Sequence, residues 1–223
     1  MKKPFPSLDF RDITTYSIFE RKSLVQIETF ATPWRKGGSF AAFLQSLPDI
    51  LAGKQFQQIV ERVATAVRNE RLVVLAMGAH VIKCGLSPLI IDLMERGIVS
   101  ALALNGAGII HDFELAYTGA TSEDVAEAIS SGEFGMGRET AQFLNAAIVR
   151  GQQEGWGIGA AVGKALHDAN PPYLQHSLVA AGYRLQIPVT VHISIGTDII
   201  HTHPEANGCL LYTSDAADEE DSV

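Results

Sequence analysis

Between Gln55 and Asn69 the apolar residues Phe56, Ile59, Val60, Val63 and Val67 return every three or four positions, which predicts an amphipathic helix. The pattern then changes. Arg71 to Gly78 encloses the unbroken run LVVLAM, the signature of a short strand buried on both faces. Ser87-Pro88 predicts a helix start, with serine as the cap and proline in the first turn. Leu89, Ile90, Leu93 and Met94 carry that helix to a stop at Gly97. Ile98 to Leu104 reads as a second buried strand, closed by Asn105-Gly106-Ala107-Gly108. Strand, helix and strand in such close succession form a βαβ unit, which requires a parallel pair and predicts a right-handed crossover.

Upstream, residues 1–40 read as an N-terminal arm, ended by Pro33 and the turn Gly37-Gly38-Ser39. Phe40 to Leu51 is a short apolar-periodic segment interrupted by Pro48. Downstream, Thr121-Ser122-Glu123-Asp124 caps a helix through Val125, Ala128 and Ile129, and Arg138 to Arg150 is helical by its periodicity. The glycine-rich stretch Gly151–Gly163 predicts no element. Ser177 to Leu185 is a short helix, and Ile187 to Ile193 is the next strand, with Pro188 tolerated at its start. The expected class is α/β: a parallel, Rossmann-like sheet with helices on both faces, occupying residues 41–208.

Composition narrows the function classes. The 223 residues suffice for one large domain. Seventeen basic against 25 acidic residues, a net charge of −8, argue against a nucleic-acid surface. No apolar run reaches the roughly 18–20 residues of a membrane span, and Lys2 and Lys3 have no apolar segment behind them to make a signal peptide. Cys84 and Cys209 lack metal-ligand spacing and fit a reducing cytoplasm. The last fifteen residues break from the preceding pattern. Cys209 to Glu219, CLLYTSDAADE, looks like a sequencing adapter translated in frame, so residues 209–223 are expected to be non-native and the domain truncated near Gly208. That tail holds five acids and no base, which takes the remainder from −8 to −3.

Ligands of open parallel sheets sit beyond the carboxyl ends of the strands. Three such ends are expected here: Gly78-Ala79-His80, Asn105-Gly106-Ala107-Gly108 and Ser194-Ile195-Gly196-Thr197-Asp198. Each combines glycine, which admits close backbone approach, with a polar side chain. There is no GxGxxG with a downstream acid. His111, followed by Asp112 and Glu114, reads as a general base, a binding group for a cationic amine, or a solvated side chain beside a helix cap at Asp112. His192, His201 and His203 with Asp198 offer a rival, a metal-dependent hydrolase, against the reading of histidines sharing one polar face.

The stretch GAHVIKCGLSPLIIDLMERGIVSALALNGAGIIHDFELAYTGATSEDV resembles the deoxyhypusine synthase family, and the later IPVTVHISIGTD resembles that family's Ile-Pro-Val strand. The resemblance covers roughly residues 35–208 and is strongest over 78–125. It implies a homotetramer that binds NAD, oxidises spermidine and passes its aminobutyl group through an enzyme lysine to a protein lysine. By the same resemblance Gly78, His80, Asn105, Gly106, Ala107, Gly108, Thr197 and Asp198 face the dinucleotide, and His111 and Asp112 face the amine. Two glutamates of the family's second turn fall on Ile110 and His111, so a carboxylate clamp is lost and an amine other than spermidine becomes as plausible as the hypusine substrate. The family's catalytic lysine lies beyond Gly208; neither Lys83 nor Lys164 occupies its position. A non-catalytic subunit that binds NAD only to stabilise an oligomer is the third expectation.

Overall fold

A computed structural model of the chain describes residues 9–208, so the tail at 209–223 lies outside the described residues. The chain divides into two compact units, one ending at Arg62 and the other beginning at Val63.

In the first unit, helix α1 (Phe40–Ser46) is capped by Ser39, whose hydroxyl accepts from the Ala42 N–H at 3.1 Å. Phe43 gathers Trp34 and Phe40 around it, the ring centres 6.4 and 6.1 Å away. None of residues 9–62 is buried. The predicted amphipathic helix is α2 (Leu51–Arg68), which runs across the boundary, and Phe56, Ile59 and Val60 of its apolar stripe stay exposed.

The second unit is mixed α/β. Its sheet has three parallel strands in the order β1-β2-β3: β1 (Val74–Met77), β2 (Ala101–Asn105) and β3 (Val189–His192). Between β1 and β2 lie α3 (His80–Lys83) and α4 (Ser87–Glu95). Between β2 and β3 come α5 (Gly106–Thr118), α6 (Val125–Ser131), α7 (Arg138–Glu154), α8 (Ile158–Ala169) and α9 (Leu178–Leu185). β2 and β3 are the buried strands: Leu102, Leu104 and Val191 are almost fully enclosed. β1 departs from the expectation of burial on both faces: Val74 and Ala76 are exposed, as is Leu72 just before it, although β3, the other edge strand, is buried.

Two helix starts also differ from expectation. Ser87 sits inside the first turn of α4 rather than capping it, and its hydroxyl is buried without a partner among the described residues. α5 begins at Gly106 and is capped by Asn105, so Asp112 lies in its middle and caps a different helix. The Asp112 carboxylate accepts from the Ser177 hydroxyl at 2.5 Å and from the N–H groups of Leu178 and Val179 at 2.8 and 3.3 Å. It thereby ties α5 to the amino end of α9, 65 residues away.

The glycine-rich stretch, where no element was expected, is the end of α7 and the first half of α8. Its glycines are contact surfaces. A Cβ on Gly151 would overlap that of Ala161, and one on Gly159 would overlap the backbone carbonyl of Val189 in β3. One on Gly163 would stand 2.6 Å from the carbonyl oxygen of Val179. The helix therefore lies unusually close to α7, α9 and the sheet. Ile158, Val162 and Leu166 complete the seal as fully buried side chains.

Candidate active site

The parallel register sets Met77 level with Leu104 and Asn105 level with His192, so the three expected turns leave the sheet from one edge. Asn105 is exposed, and its side-chain oxygen accepts from the Gly108 N–H at 3.0 Å, ordering the first turn of α5. Gly78 is open: a Cβ there would meet only the Asn105 amide nitrogen, at 3.6 Å. Gly106 is not open, because the Asp198 carboxylate and Ile193 fill the place of its missing side chain. Gly108 is likewise packed, against Leu104 and Asn105, and Ala107 is half-buried. His80 is exposed at the start of α3. The Thr197 hydroxyl donates to the Ser194 carbonyl at 2.6 Å and is exposed. Asp198 is half-buried; burial raises its pKa above the ordinary carboxylate value, against the opposing His201 charge and the Thr197 hydroxyl.

One turn and a half along α5 lies a second polar group. His111 Nδ1 and the Thr121 hydroxyl are 2.6 Å apart, and that hydroxyl donates to Glu114 Oε2 at 2.5 Å. Thr140, in the first turn of α7, donates to Glu114 Oε1 at 3.2 Å. Burial opposes ionisation of Glu114, but the nearby His111 and the hydroxyls of Thr121 and Thr140 outweigh it and hold the carboxyl below its ordinary value. Glu114 and Thr121 open onto a cleft of about 410 Å³ between α5, the loop at 120–123 and the start of α7. Its walls carry three carboxylates (Glu114, Glu123 and Glu139) and the rings of Phe113 and Tyr117, with no basic residue among them. Phe113 stacks on Tyr117 and Phe143 at 5.1 and 4.7 Å, which fixes the aromatic wall. Glu123 is itself anchored, accepting from the Gly135 N–H at 2.7 Å.

This cleft was missed in the sequence. The resemblance implied that a carboxylate clamp is lost at Ile110 and His111; Ile110 is indeed buried, but Glu114, one helical turn on, brings a carboxylate to this cleft. The spacing His111 to Glu114 was the available signal; the approach of Thr121, Glu139 and Thr140 was not. Asp112, expected at the amine, faces the interior and holds α9.

The histidine set does not assemble. Among the described residues no three His, Cys, Asp or Glu side chains come together to hold a metal. β3 ends at His192, whose Nε2 pairs with the Thr190 hydroxyl at 2.9 Å. His201 lies on a separate turn of 3-10 helix (Ile199–Thr202), where its Nδ1 accepts from the N–H groups of Gly196 and Asp198 at 3.1 and 3.4 Å. His203 faces Glu205. The three imidazoles thus stand apart. Among the described residues His201 Nε2 and, its ion-pair contact with Glu205 aside, His203 Nδ1 are buried without a hydrogen-bond partner, yet no ligand set for the metal-hydrolase alternative forms. Lys83 is exposed on α3, and Lys164 pairs with Asp168 at 2.7 Å. No helix among the described residues is long and apolar enough to cross a membrane.

No protein-family profile and no curated protein matches the sequence. Among solved structures the chain is similar to a protein from Entamoeba histolytica described as a "putative deoxyhypusine synthase", at a TM-score of 0.45 and 15% identity. The match covers 72% of this chain and 63% of that one, so this chain spans less than two thirds of that protein's length. At this TM-score the likeness carries no weight for the chemistry, which rests on the residues.

Proposed function

We propose that this chain binds an organic amine in the carboxylate cleft and NAD at the strand ends, in the service of NAD-dependent aminoalkyl transfer of the deoxyhypusine synthase kind. The cleft carries the reading. A desolvated ammonium needs paired negative charge, and Glu114, Glu123 and Glu139 supply it without a competing base in the wall. Tyr117, held against the buried Phe113, adds an exposed aromatic face that attracts cations. His111, joined to two residues of the wall, is the group suited to take a proton from the bound ammonium.

The residues at the sheet edge fit a dinucleotide in a divided way. Asp198 covers Gly106, so its charge disfavours a phosphate on the first turn of α5, while its carboxylate with Thr197 suits ribose hydroxyls. The open Gly78 turn, His80 and Asn105 would meet the phosphates. NAD held there would supply a hydride acceptor for oxidation of the amine carbon.

Binding is the direct test. At about a hundred times its dissociation constant each ligand should stabilise the folded chain by about 2.7 kcal/mol, read as a rise in melting temperature with NAD and with spermidine or putrescine. Glu139→Gln should weaken amine binding about tenfold, near 1.4 kcal/mol, and leave the NAD effect unchanged. Stabilisation by NAD but by none of the amines would favour a non-catalytic NAD-binding subunit. No response to either would sink the reading.

A further inference from the structure

We infer that Glu114 and Thr121 are positioning residues that hold neutral His111 with its proton on Nδ1 and its lone pair on Nε2. The relay deepens the amine reading above and rests on it for the role of His111 as a base; the tautomer itself rests on geometry alone.

The Thr121 hydroxyl has one proton and two close neighbours. Toward Glu114 Oε2, 2.5 Å away, it faces a carboxylate that can only accept, so the proton is committed there. The Thr121 oxygen is left as an acceptor, and His111 Nδ1 at 2.6 Å must be the donor. Thr140 donates to the other oxygen, Oε1, so the carboxylate cannot rotate away without losing a second bond. Helical geometry makes the arrangement compact, because His111 and Glu114 are three residues apart on one face of α5. Thr121 is delivered to them by the left-handed turn at Gly119 that ends the helix.

The consequence is chemical. A proton lost from a bound ammonium breaks its N–H bond, leaves the electron pair on the amine nitrogen and is taken up at Nε2. The ring becomes an imidazolium that keeps its Nδ1–H bond to Thr121. Its charge then faces the Glu114 carboxylate, 3.7 Å from Nδ1. The side chain is 18% exposed, and its Nδ1 is taken up by Thr121 of the cleft wall.

Nitrogen NMR of the ligand-free chain tests this at about pH 8, where imidazole is neutral. His111 is expected to show a protonated Nδ1 and an unprotonated Nε2. Thr121→Val should switch it to the Nε2–H form that a free histidine side chain prefers in water, and Thr121→Ser should keep the parent pattern. Glu114→Ala frees the Thr121 proton to turn toward the ring and should also give Nε2–H. An Nε2–H pattern in the parent, or an Nδ1–H pattern that survives both Thr121→Val and Glu114→Ala, overturns the relay. Because these spectra contain no ligand, failure to bind amines would count against the amine reading and not against the tautomer.

Discussion

Asp112→Ala is expected to cost the second unit about 3 kcal/mol or more, the largest loss of any polar substitution in it. Asp112 is 1% exposed and accepts three hydrogen bonds, two of them from the first N–H groups of α9. Each buried donor left without a partner costs about 1–3 kcal/mol, and the Ser177 hydroxyl covers only the Ala180 N–H at 2.9 Å. With a urea dependence of about 2 kcal/mol per molar, the unfolding midpoint should fall by roughly 1.5 M. Asp112→Asn retains one acceptor for Leu178 and should lose about half as much. A midpoint for Asp112→Ala within a few tenths molar of the parent would show that α9 does not depend on this cap.

The pH dependence of that cap has the opposite sign to the usual carboxylate. Burial pushes the Asp112 pKa up to about 6, against the Ser177 hydroxyl and the Leu178 and Val179 N–H groups, which favour the ionised form. The folded state therefore holds the proton more firmly than the unfolded state, where the carboxyl titrates near 4. Its favourable contribution is fully present below pH 4 and is lost as pH rises through about 6. The parent should thus gain stability relative to Asp112→Asn on going from about pH 7.5 to pH 5, and taking the difference cancels the other titrating groups.

How much of this was readable beforehand depended on whether the deciding partner was near in sequence. β2 and β3 were legible because Leu102, Leu104, Val189 and Val191 sit in apolar runs whose length and composition already exclude most alternatives. The cap at Asp124 was legible because its side chain bonds the backbone two and three residues on. Asp112 was not, since its partners lie at 177–179 and a local reading can only assign it to the helix beside it. The cleft fails for the same reason: Glu114, Thr121, Glu123 and Glu139 come from a helix, a loop and a second helix. The three strand ends were read correctly as one edge, but whether a glycine there opens space or is filled, as Asp198 fills Gly106, is decided only by tertiary contact.

The glycines of α8 make the sharpest case, and Gly159→Ala is the second large prediction. In an isolated helix the change should be favourable, since alanine exceeds glycine by about 1 kcal/mol. Here the new methyl would overlap the carbonyl of Val189 and lie 3.2 Å from the Val189 Cβ. Neither neighbour can yield cheaply, because Val189 is held in β3 by its pairing with Leu102 of the central strand β2. The helix must instead retreat from β3, opening gaps around Ile158 and Val162, which are fully enclosed. Overpacking of this kind costs about 1–3 kcal/mol, and rigid backbone on the receiving side argues for the upper end. The measurement is the melting temperature of Gly159→Ala beside that of Ala160→Ser, an exposed neighbour on the same turn expected to change little. A fall of several degrees at 159 alone, against the helix propensity, is the result that direct seating of α8 on β3 requires. A rise at 159 would mean that α8 stands off from the strand, and that propensity rather than contact sets the stability of the glycine-rich segment.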